Sequence, residues 1–226
     1  MGQLFNQILG IPSGKVGTLI FRRRKGANFI AVPPMKRGTV PDAAEIALRA
    51  KFSLAVKIAS KINSVGVLKA CWPSNTGRGS KCNEIMQLNY DLINSAENLG
   101  SVAVAPLFGF NTVNAVLTAG AAGIHLVTDA LGVGLNIDTG IEKFLVGAGI
   151  VVLQNPILEH LPATMVLPFK SNQQNLDLIN PVDITADFSG SSLAMYAGYT
   201  DKKVFACLVT LDDQGKSIKF SSTVHS

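Results

Sequence analysis

The chain has 226 residues, of which 47% are hydrophobic and 15% are charged. This composition can fill a packed core and excludes an intrinsically disordered protein, which combines low hydrophobicity with high net charge. The formal net charge of +5 is unevenly distributed along the chain. Residues 1–81 contain fourteen Lys and Arg but only two acids, whereas residues 82–226 contain six Lys and thirteen Asp and Glu. This asymmetry predicts an anionic partner for the N-terminal part, or a complementary contact within or between copies. A solvated basic face is the alternative interpretation.

The first predicted element is a β-hairpin that carries a group of cations. Short apolar runs at Thr18–Phe21 and Phe29–Val32 flank the cations, and Gly26-Ala27-Asn28 supplies turn residues. Pro33-Pro34 ends the second run, because proline cannot donate to a β-ladder. The candidate anion-binding or partner-binding residues lie in and around this hairpin and in the linker that follows it: Lys15, Arg22, Arg23, Arg24, Lys25, Lys36 and Arg37.

Two amphipathic helices are predicted next. Asp42 and Glu45 have the spacing of a capping box at the start of the first, "VPDAAEIALRAKFSLAVKIASKI". A second helix is predicted over Glu84–Asn98, where apolar residues recur at helical spacing. The segment between the two, "SNTGRGSK", is typical of an exposed loop. The predicted apolar face of the first helix comprises Leu48, Phe52, Ala55, Ala59 and Ile62.

Beyond Gly100, short apolar runs alternate with Gly, Pro, Asn and Asp turn signals. The runs predicted as strands are "SVAVAPLF", "GIHLVT", "VGLNI", "KFLVGAGIVVLQ", "TMVLPF", "DITADF", "LAMYAGYT", "VFACLVTL" and "SIKFSSTV". Their spacing predicts an antiparallel sandwich or barrel, and Asp212-Asp213 is expected in a hairpin turn. The predicted fold is mainly β with an N-terminal helical segment (α+β) and an antiparallel β-sandwich-like C-terminal part. The predicted domains are a basic N-terminal segment, residues 1–81, and a β-sandwich-like domain, residues 82–226.

The motifs that would specify a reaction are incomplete. Gly10 and Gly14 are one residue too close for a phosphate-binding loop, and Val16 occupies the position of its magnesium-binding hydroxyl. "GVGLNIDTG" lacks the third glycine of a dinucleotide fingerprint, and a G-x-S-x-G elbow is missing. We therefore expect no enzyme activity, no cofactor and no metal. The three cysteines make no disulfide framework and lie at no zinc-binding spacing from the histidines: Cys71, Cys82 and Cys207.

Neither a signal peptide nor a membrane span is predicted. Met1–Gly10 lacks a cationic start before an apolar stretch. The uncharged run Asn98–Thr128 is interrupted by a proline, by asparagines and by four glycines, whereas a spanning helix needs about 20 predominantly apolar residues.

Two parts of the sequence carry a family resemblance. "GKVG", then a strand, "RKG", a proline-bounded basic linker and "PDAAEIALRAKFSLA" resemble the N-terminal signature of a domain-of-unknown-function family found in bacteria and their phages. The matching residues are Gly14–Gly17, Lys25-Gly26 and Pro41–Phe52. Near the C-terminus, Ala186–Gly190 and Tyr196 resemble the "ADFSG…Y" strand pair of the family, whereas residues 72–174 depart from its pattern. The resemblance implies a β-sandwich-like part behind a basic segment, and it implies no activity.

These features favour a non-enzymatic structural protein that self-assembles, as a component of a phage capsid or tail. Its expected partners are copies of itself, in a homo-oligomer, and other virion proteins. Its expected location is a virion, or the cytoplasm before assembly. Two other functions stay open. One is a nucleic-acid-binding accessory protein, whose cations would neutralise phosphates without reading a sequence. The other is a surface or adhesion module built on the sandwich. A steep loss of binding with ionic strength would distinguish nucleic-acid binding from assembly through apolar contacts.

Overall fold

The computed structural model describes residues 2–4, 14–16, 19–24, 27–32, 40–73, 80–95, 99–132 and 135–226. The chain forms two compact units, Met1–Asp42 and Ala43–Ser226. The described part of the first unit is an antiparallel sheet of short strands in the order β1-β4-β3-β2. The strands are β1 (Gly2–Leu4), β2 (Gly14–Val16), β3 (Leu19–Arg24) and β4 (Ala27–Ala31).

The predicted hairpin is formed by β3 and β4. Arg24 pairs with Ala27 and Arg23 with Asn28, in antiparallel register. Ala27 and Asn28, which carried part of the predicted turn signal, therefore belong to β4. Strand β3 therefore consists of three apolar residues followed directly by three arginines.

The second unit begins with helices α1 (Ala43–Ser64), α2 (Gly66–Cys71) and α3 (Lys81–Leu92). Both predicted helices are present, although α3 ends at Leu92 rather than near residue 98. An ion pair joins the first two turns of α1, in which Arg49 donates to Glu45 Oε1 at 2.7 Å. Ser80 caps α3, because its hydroxyl accepts from the Asn83 N–H at 3.3 Å. The sequence pattern thus located the first helix through apolar periodicity and the capping pattern, and the second through apolar periodicity alone.

The apolar face of α1 differs in part from the predicted one. Ala55, Ala59 and Ile62 are buried, as predicted, together with Leu54 and Ile58. Leu48 and Phe52 were predicted on the same face, but they are 57% and 50% exposed. The reason is that α1 buries side chains only from Leu54 onward, so its N-terminal turns lie outside the core.

The remaining elements form two antiparallel sheets and one further helix. The large sheet has the strand order β12-β11-β7-β8, with β13 paired to β11 and β9 paired to β7, and the small sheet has the order β10-β6-β5. Helix α4 (Gly190–Ala197) precedes β11. The strands are β5 (Val116–Ala119), β6 (Gly123–Thr128), β7 (Phe144–Pro156), β8 (Thr164–Lys170), β9 (Gln174–Asn175), β10 (Val182–Asp187), β11 (Tyr199–Leu211), β12 (Ser217–Phe220) and β13 (Val224–His225).

The large sheet is covered on both faces. Successive strand residues point to opposite sides, so along β7 Val146 and Ile150 pack with the helices while Leu145 and Val151 pack with the small sheet. Gly147 faces the small sheet, where an added Cβ would lie 2.9 Å from Cγ2 of Ile184. The unit therefore has three layers, helices, large sheet and small sheet. This architecture confirms the predicted α+β fold with an antiparallel sandwich.

The helices belong to the same compact unit as the sheets. The predicted boundary between domains lay at residue 81, whereas the observed units meet between Asp42 and Ala43. The physical reason is that α1 and α2 share one apolar core with the large sheet: Ile58 and Leu68 of the helices and Ile150 of β7 belong to it.

The first of the predicted strands, "SVAVAPLF", is an irregular segment rather than a strand, in which residues 102–106 are buried and the last two residues are exposed. The buried Asn89 side chain replaces a neighbouring strand here: its Oδ1 accepts from the Ala103 N–H at 2.9 Å and its Nδ2 donates to Ala103 O at 3.0 Å. Val104 N–H donates to Thr223 Oγ1 at 3.1 Å. These side chains satisfy the backbone N–H and C=O of Ala103 and the N–H of Val104 without a ladder.

Two more of the predicted strands are wrong. In "VGLNI", the described residues 135–137 form no strand. "LAMYA" lies in α4, so the "ADFSG…Y" segment is a strand, a helix and then β11, not a strand pair. Gly190 opens α4 with a φ of 54°, a backbone conformation that favours glycine.

Candidate interaction surfaces

The predicted cationic residues fall on the small N-terminal sheet where they are described. Lys15 lies on β2 and Arg22, Arg23 and Arg24 on β3, and at these positions the structure describes the backbone alone. Lys15 pairs with Ile20, so Lys15 and the arginines lie on adjacent strands. Lys25, Lys36 and Arg37 lie outside the described residues.

A second candidate surface lies at the connection between β7 and β8. We call residues 157–160 (Ile-Leu-Glu-His) the hairpin tip, and all four are exposed. Ile157 is 61% and Leu158 is 51% exposed, although apolar side chains of this size are usually buried. The tip therefore presents two large apolar side chains followed directly by a carboxylate.

The backbone of the hairpin tip is firmly attached to the fold. Ile157 N–H donates to Gly198 O at 2.8 Å, and Leu161 N–H donates to Leu158 O at 3.1 Å. The buried Tyr199 donates its hydroxyl to Pro162 O at 2.8 Å. Thr200 Oγ1 donates to Asn155 O at 3.2 Å on the other side of the tip. The apolar side chains are thus held in an exposed position by backbone contacts on both sides.

A groove runs between α1 and the edge strand β8. It consists of two adjoining hollows of about 540 and 490 Å³, both lined by Lys57, Pro162 and Thr164. We call it the α1–β8 groove. Val56, Met165 and Met195 give the second hollow an apolar lining, and the exposed Lys57 and Lys61 stand one helical turn apart along it. The groove therefore combines an apolar floor with two cations.

Charge is divided between the layers of the second unit. The part with helices α1 to α3, residues 43–92, contains seven Lys and Arg and three acids, whereas residues 93–226 contain six Lys and eleven acids. On the small sheet, Asp183 and Asp187 of β10 are exposed, and His125 Nε2 lies 2.7 Å from Asp183 Oδ1. An exposed pair of this kind contributes about 0–1 kcal/mol to stability. The helices are on one side of the large sheet and the small sheet on the other, so the unit is electrically polar.

A further exposed apolar site is the loop that contains Leu107 and Phe108, which are 69% and 74% exposed. Its backbone is tied to the end of β12: Phe110 N–H donates to Phe220 O at 3.0 Å, and Ser222 N–H donates to Phe110 O at 2.7 Å. The Phe108 ring packs edge-to-face on Phe220, with 5.4 Å between centroids. Like the hairpin tip, this loop displays apolar groups on a fixed backbone.

The buried carboxylate of Glu142 has partners that account for its position. Its Oε1 accepts from the Asp138 N–H and from Lys219 Nζ, each at 3.0 Å, and its Oε2 accepts from the Thr210 hydroxyl. Burial alone would raise the pKa of Glu142, but these hydrogen bonds and the Lys219 charge together lower it. The carboxylate is therefore ionised at neutral pH and joins β11, β12 and the turn before β7.

The cysteines are free thiols, and two of them lie in the core between the helices and the large sheet. Burial raises the pKa of the Cys71 thiol to about 12, and burial together with the neighbouring Cys71 raises the pKa of Cys207. Both are therefore protonated at neutral pH, and a protonated thiol is a poor nucleophile and metal ligand. Within the ranges that the structure describes, no group of three or more His, Cys, Asp or Glu side chains is arranged to hold a metal ion.

Sequence reasoning missed both the hairpin tip and the α1–β8 groove. The signal for the tip is present in "NPILEHLP", where apolar residues occupy a proline-bounded connection between two strands. The groove has no local signal, because residues of α1 and β8 that are about 100 positions apart in the chain line it together.

Comparison of the chain with family models, curated proteins and solved structures gave no match. Over the described residues, no helix combines the length and the apolar character that crossing a membrane requires.

Proposed function

We propose that the protein is a non-enzymatic structural protein that self-assembles, as a component of a phage capsid or tail. The observation that carries this proposal is the display of large apolar side chains on anchored backbone, at Ile157 and Leu158 and again at Leu107 and Phe108. Grouped exposed apolar residues mark interaction sites. Because hydrogen bonds already order the backbone at both places, less conformational entropy is lost when a partner binds.

The polarity of the second unit supports assembly from repeated copies. Opposite charges on the helical layer and on the sheets favour a contact in which the helices of one copy face the acidic sheet of the next. Such a contact between different surfaces is heterologous, and it can be repeated to build rings or filaments. The resemblance of Gly14–Gly17 and Pro41–Phe52 to a family found in bacteria and their phages supports a virion as the assembly.

Nucleic-acid binding is the second candidate function. It is favoured by the arginines on β3, next to Lys15 on β2, and by the exposed Lys57 and Lys61 on α1. Each of these two groups of cations, one in each unit, would neutralise phosphates with an affinity that falls steeply as salt rises. Contacts between apolar side chains are not screened by salt in this manner.

The test is sedimentation velocity of the purified full-length chain over a wide range of concentration, at low and high salt, with and without DNA of random sequence. We expect the mass to rise above that of one chain as concentration rises, and to stay raised at high salt. A mass of one chain under every condition would refute self-assembly. Binding to DNA that is lost at high salt and on replacement of Arg22–Lys25 by glutamine would instead support the second function.

A further inference from the structure

We propose that two copies of the chain pair reciprocally, with the hairpin tip of each lying in the α1–β8 groove of the other. The proposal rests on self-assembly as the function: the two-fold pair would be the repeating unit, and the heterologous contact between helices and small sheet would join one pair to the next. It assigns the groove one occupant, the Ile-Leu-Glu segment of a second copy.

The position of the tip beside the groove favours a two-fold contact. Asn155 and Pro162, which bracket the tip in the chain, both line the groove. A two-fold contact requires one continuous surface that contains both the projecting and the receiving element, since each copy must offer the same surface to the other. Tip and groove form such a surface because they share the ends of β7 and β8.

The chemistry of the two elements is complementary. The tip offers the apolar side chains of Ile157 and Leu158 and then the exposed carboxylate of Glu159. The groove offers an apolar lining that includes the flexible side chain of Met165, which adapts its shape to a partner. Lys57 and Lys61 stand along the same groove. Insertion of the tip would bury its apolar side chains and bring Glu159 near one or both ammonium groups, which steers and orients the encounter.

The position of Pro168 favours a contact between the two copies through side chains rather than through an added β-strand. Ser171 N–H donates to Gly147 O, and Phe169 pairs with Gly149, so the odd-numbered residues of β8 bond to β7. The backbone groups of residues 164, 166, 168 and 170 therefore face away from β7, along the edge. Pro168 has no N–H to offer there, and proline on an edge strand opposes pairing with another strand.

The experiment uses the full-length chain and measures its mass by sedimentation equilibrium at moderate salt. The first variant, Ile157→Ser with Leu158→Ser, removes the apolar tip; the matched control Ile179→Ser changes an isoleucine that is 85% exposed and lies outside the tip and the groove. We expect the tip variant to raise the dissociation constant of the pair by at least about tenfold. The control should leave the constant unchanged.

A charge exchange tests the partner of Glu159. Lys57→Glu with Lys61→Glu should weaken pairing, and addition of Glu159→Lys to the same chain should restore it, since the reversed pair attracts again. All substituted residues are exposed, and thermal unfolding of each variant checks that the fold is retained.

The outcomes separate this proposal from the proposed function. If the variant without the apolar tip associates as tightly as the wild type, the reciprocal pairing is refuted but self-assembly is not. Chains that stay single at every concentration would refute both. A groove variant that loses binding of a labelled oligonucleotide but keeps its mass would identify the groove as a polyanion site and refute the pairing.

Discussion

Replacement of Gly149 by alanine tests the packing of the large sheet from its centre. Gly149 lies on β7 opposite Ala206 of β11. A Cβ added here would contact the carbonyl oxygen of Phe205 and would lie 2.8 Å from both Ala206 Cα and Phe169 Cζ, whereas ordinary contacts begin at 3.4 Å. Two of these three atoms belong to the backbone of a paired strand, which cannot move without disturbing the β7–β11 ladder.

The loss of folding stability expected for Gly149→Ala follows from this steric overlap. Extra atoms forced into a packed core destabilise by about 1–3 kcal/mol, and in a chain of this size each kcal/mol shifts the midpoint of thermal unfolding by about 2–4 °C. Gly149→Ala should therefore lower Tm by about 2–12 °C. The matched control is Gly66→Ala, where nothing lies within 4 Å of the added Cβ and alanine favours the helix, so its Tm should stay the same or rise.

Calorimetry of the wild type and the two variants measures these shifts. A double-mutant cycle with Phe169→Leu isolates the contact between the added Cβ and the Phe169 ring. The loss of stability caused by Gly149→Ala should be smaller when the ring is absent. A Gly149→Ala protein that unfolds at or above the wild-type temperature would refute the close approach of β7, β11 and Phe169.

Two further predictions concern titratable groups. Because the pKa of Glu142 is lowered in the fold, its stabilising contribution is present above the pKa of an unfolded glutamate, about 4.3, and is lost as the pH falls through the lower folded value. Glu142→Gln should lower the free energy of unfolding at pH 7 by about 1–3 kcal/mol. It should also make the stability of the protein fall less steeply as the pH is lowered, which urea unfolding at several pH values measures. A variant whose stability falls as steeply with acid as that of the wild type would contradict this. In the native protein, an aromatic disulfide reagent should modify the half-buried Cys82 and spare the buried Cys71 and Cys207, so Cys82→Ser should abolish the fast reaction. Rapid modification of a second thiol would show that the helical core opens readily.

The elements that could be predicted are those whose signal is local. Helix α1 begins directly after Asp42, at the capping pattern, and β6, β7, β8, β10 and β11 lie in the apolar runs that predicted them. The hairpin turn at "DDQG" is also present, since Asp212 Oδ1 accepts from the N–H groups of Gln214 and Lys216. In each case the residues that decide the conformation are neighbours in the chain.

The parts that could not be predicted depend on distant residues. Residues 101–108 have the composition of a strand, but Asn89 and Thr223 supply the hydrogen bonds that a neighbouring strand would have made. Leu48 and Phe52 fit the helical period, yet the core covers only the later turns of α1. The α1–β8 groove arises from the packing of two separate elements, and its apolar floor cannot be recognised before the fold is known.

The large sheet takes part in two separate apolar cores, and this arrangement has a dynamic consequence. Release of the helical layer would expose one face of the sheet while leaving the strand ladders and the contact with the small sheet intact. Partial opening of this kind requires less free energy than global unfolding. Backbone amides of α1 should therefore exchange with deuterium before those of β7 and β11, so the layer that lines the groove is also the layer able to adjust to what enters it.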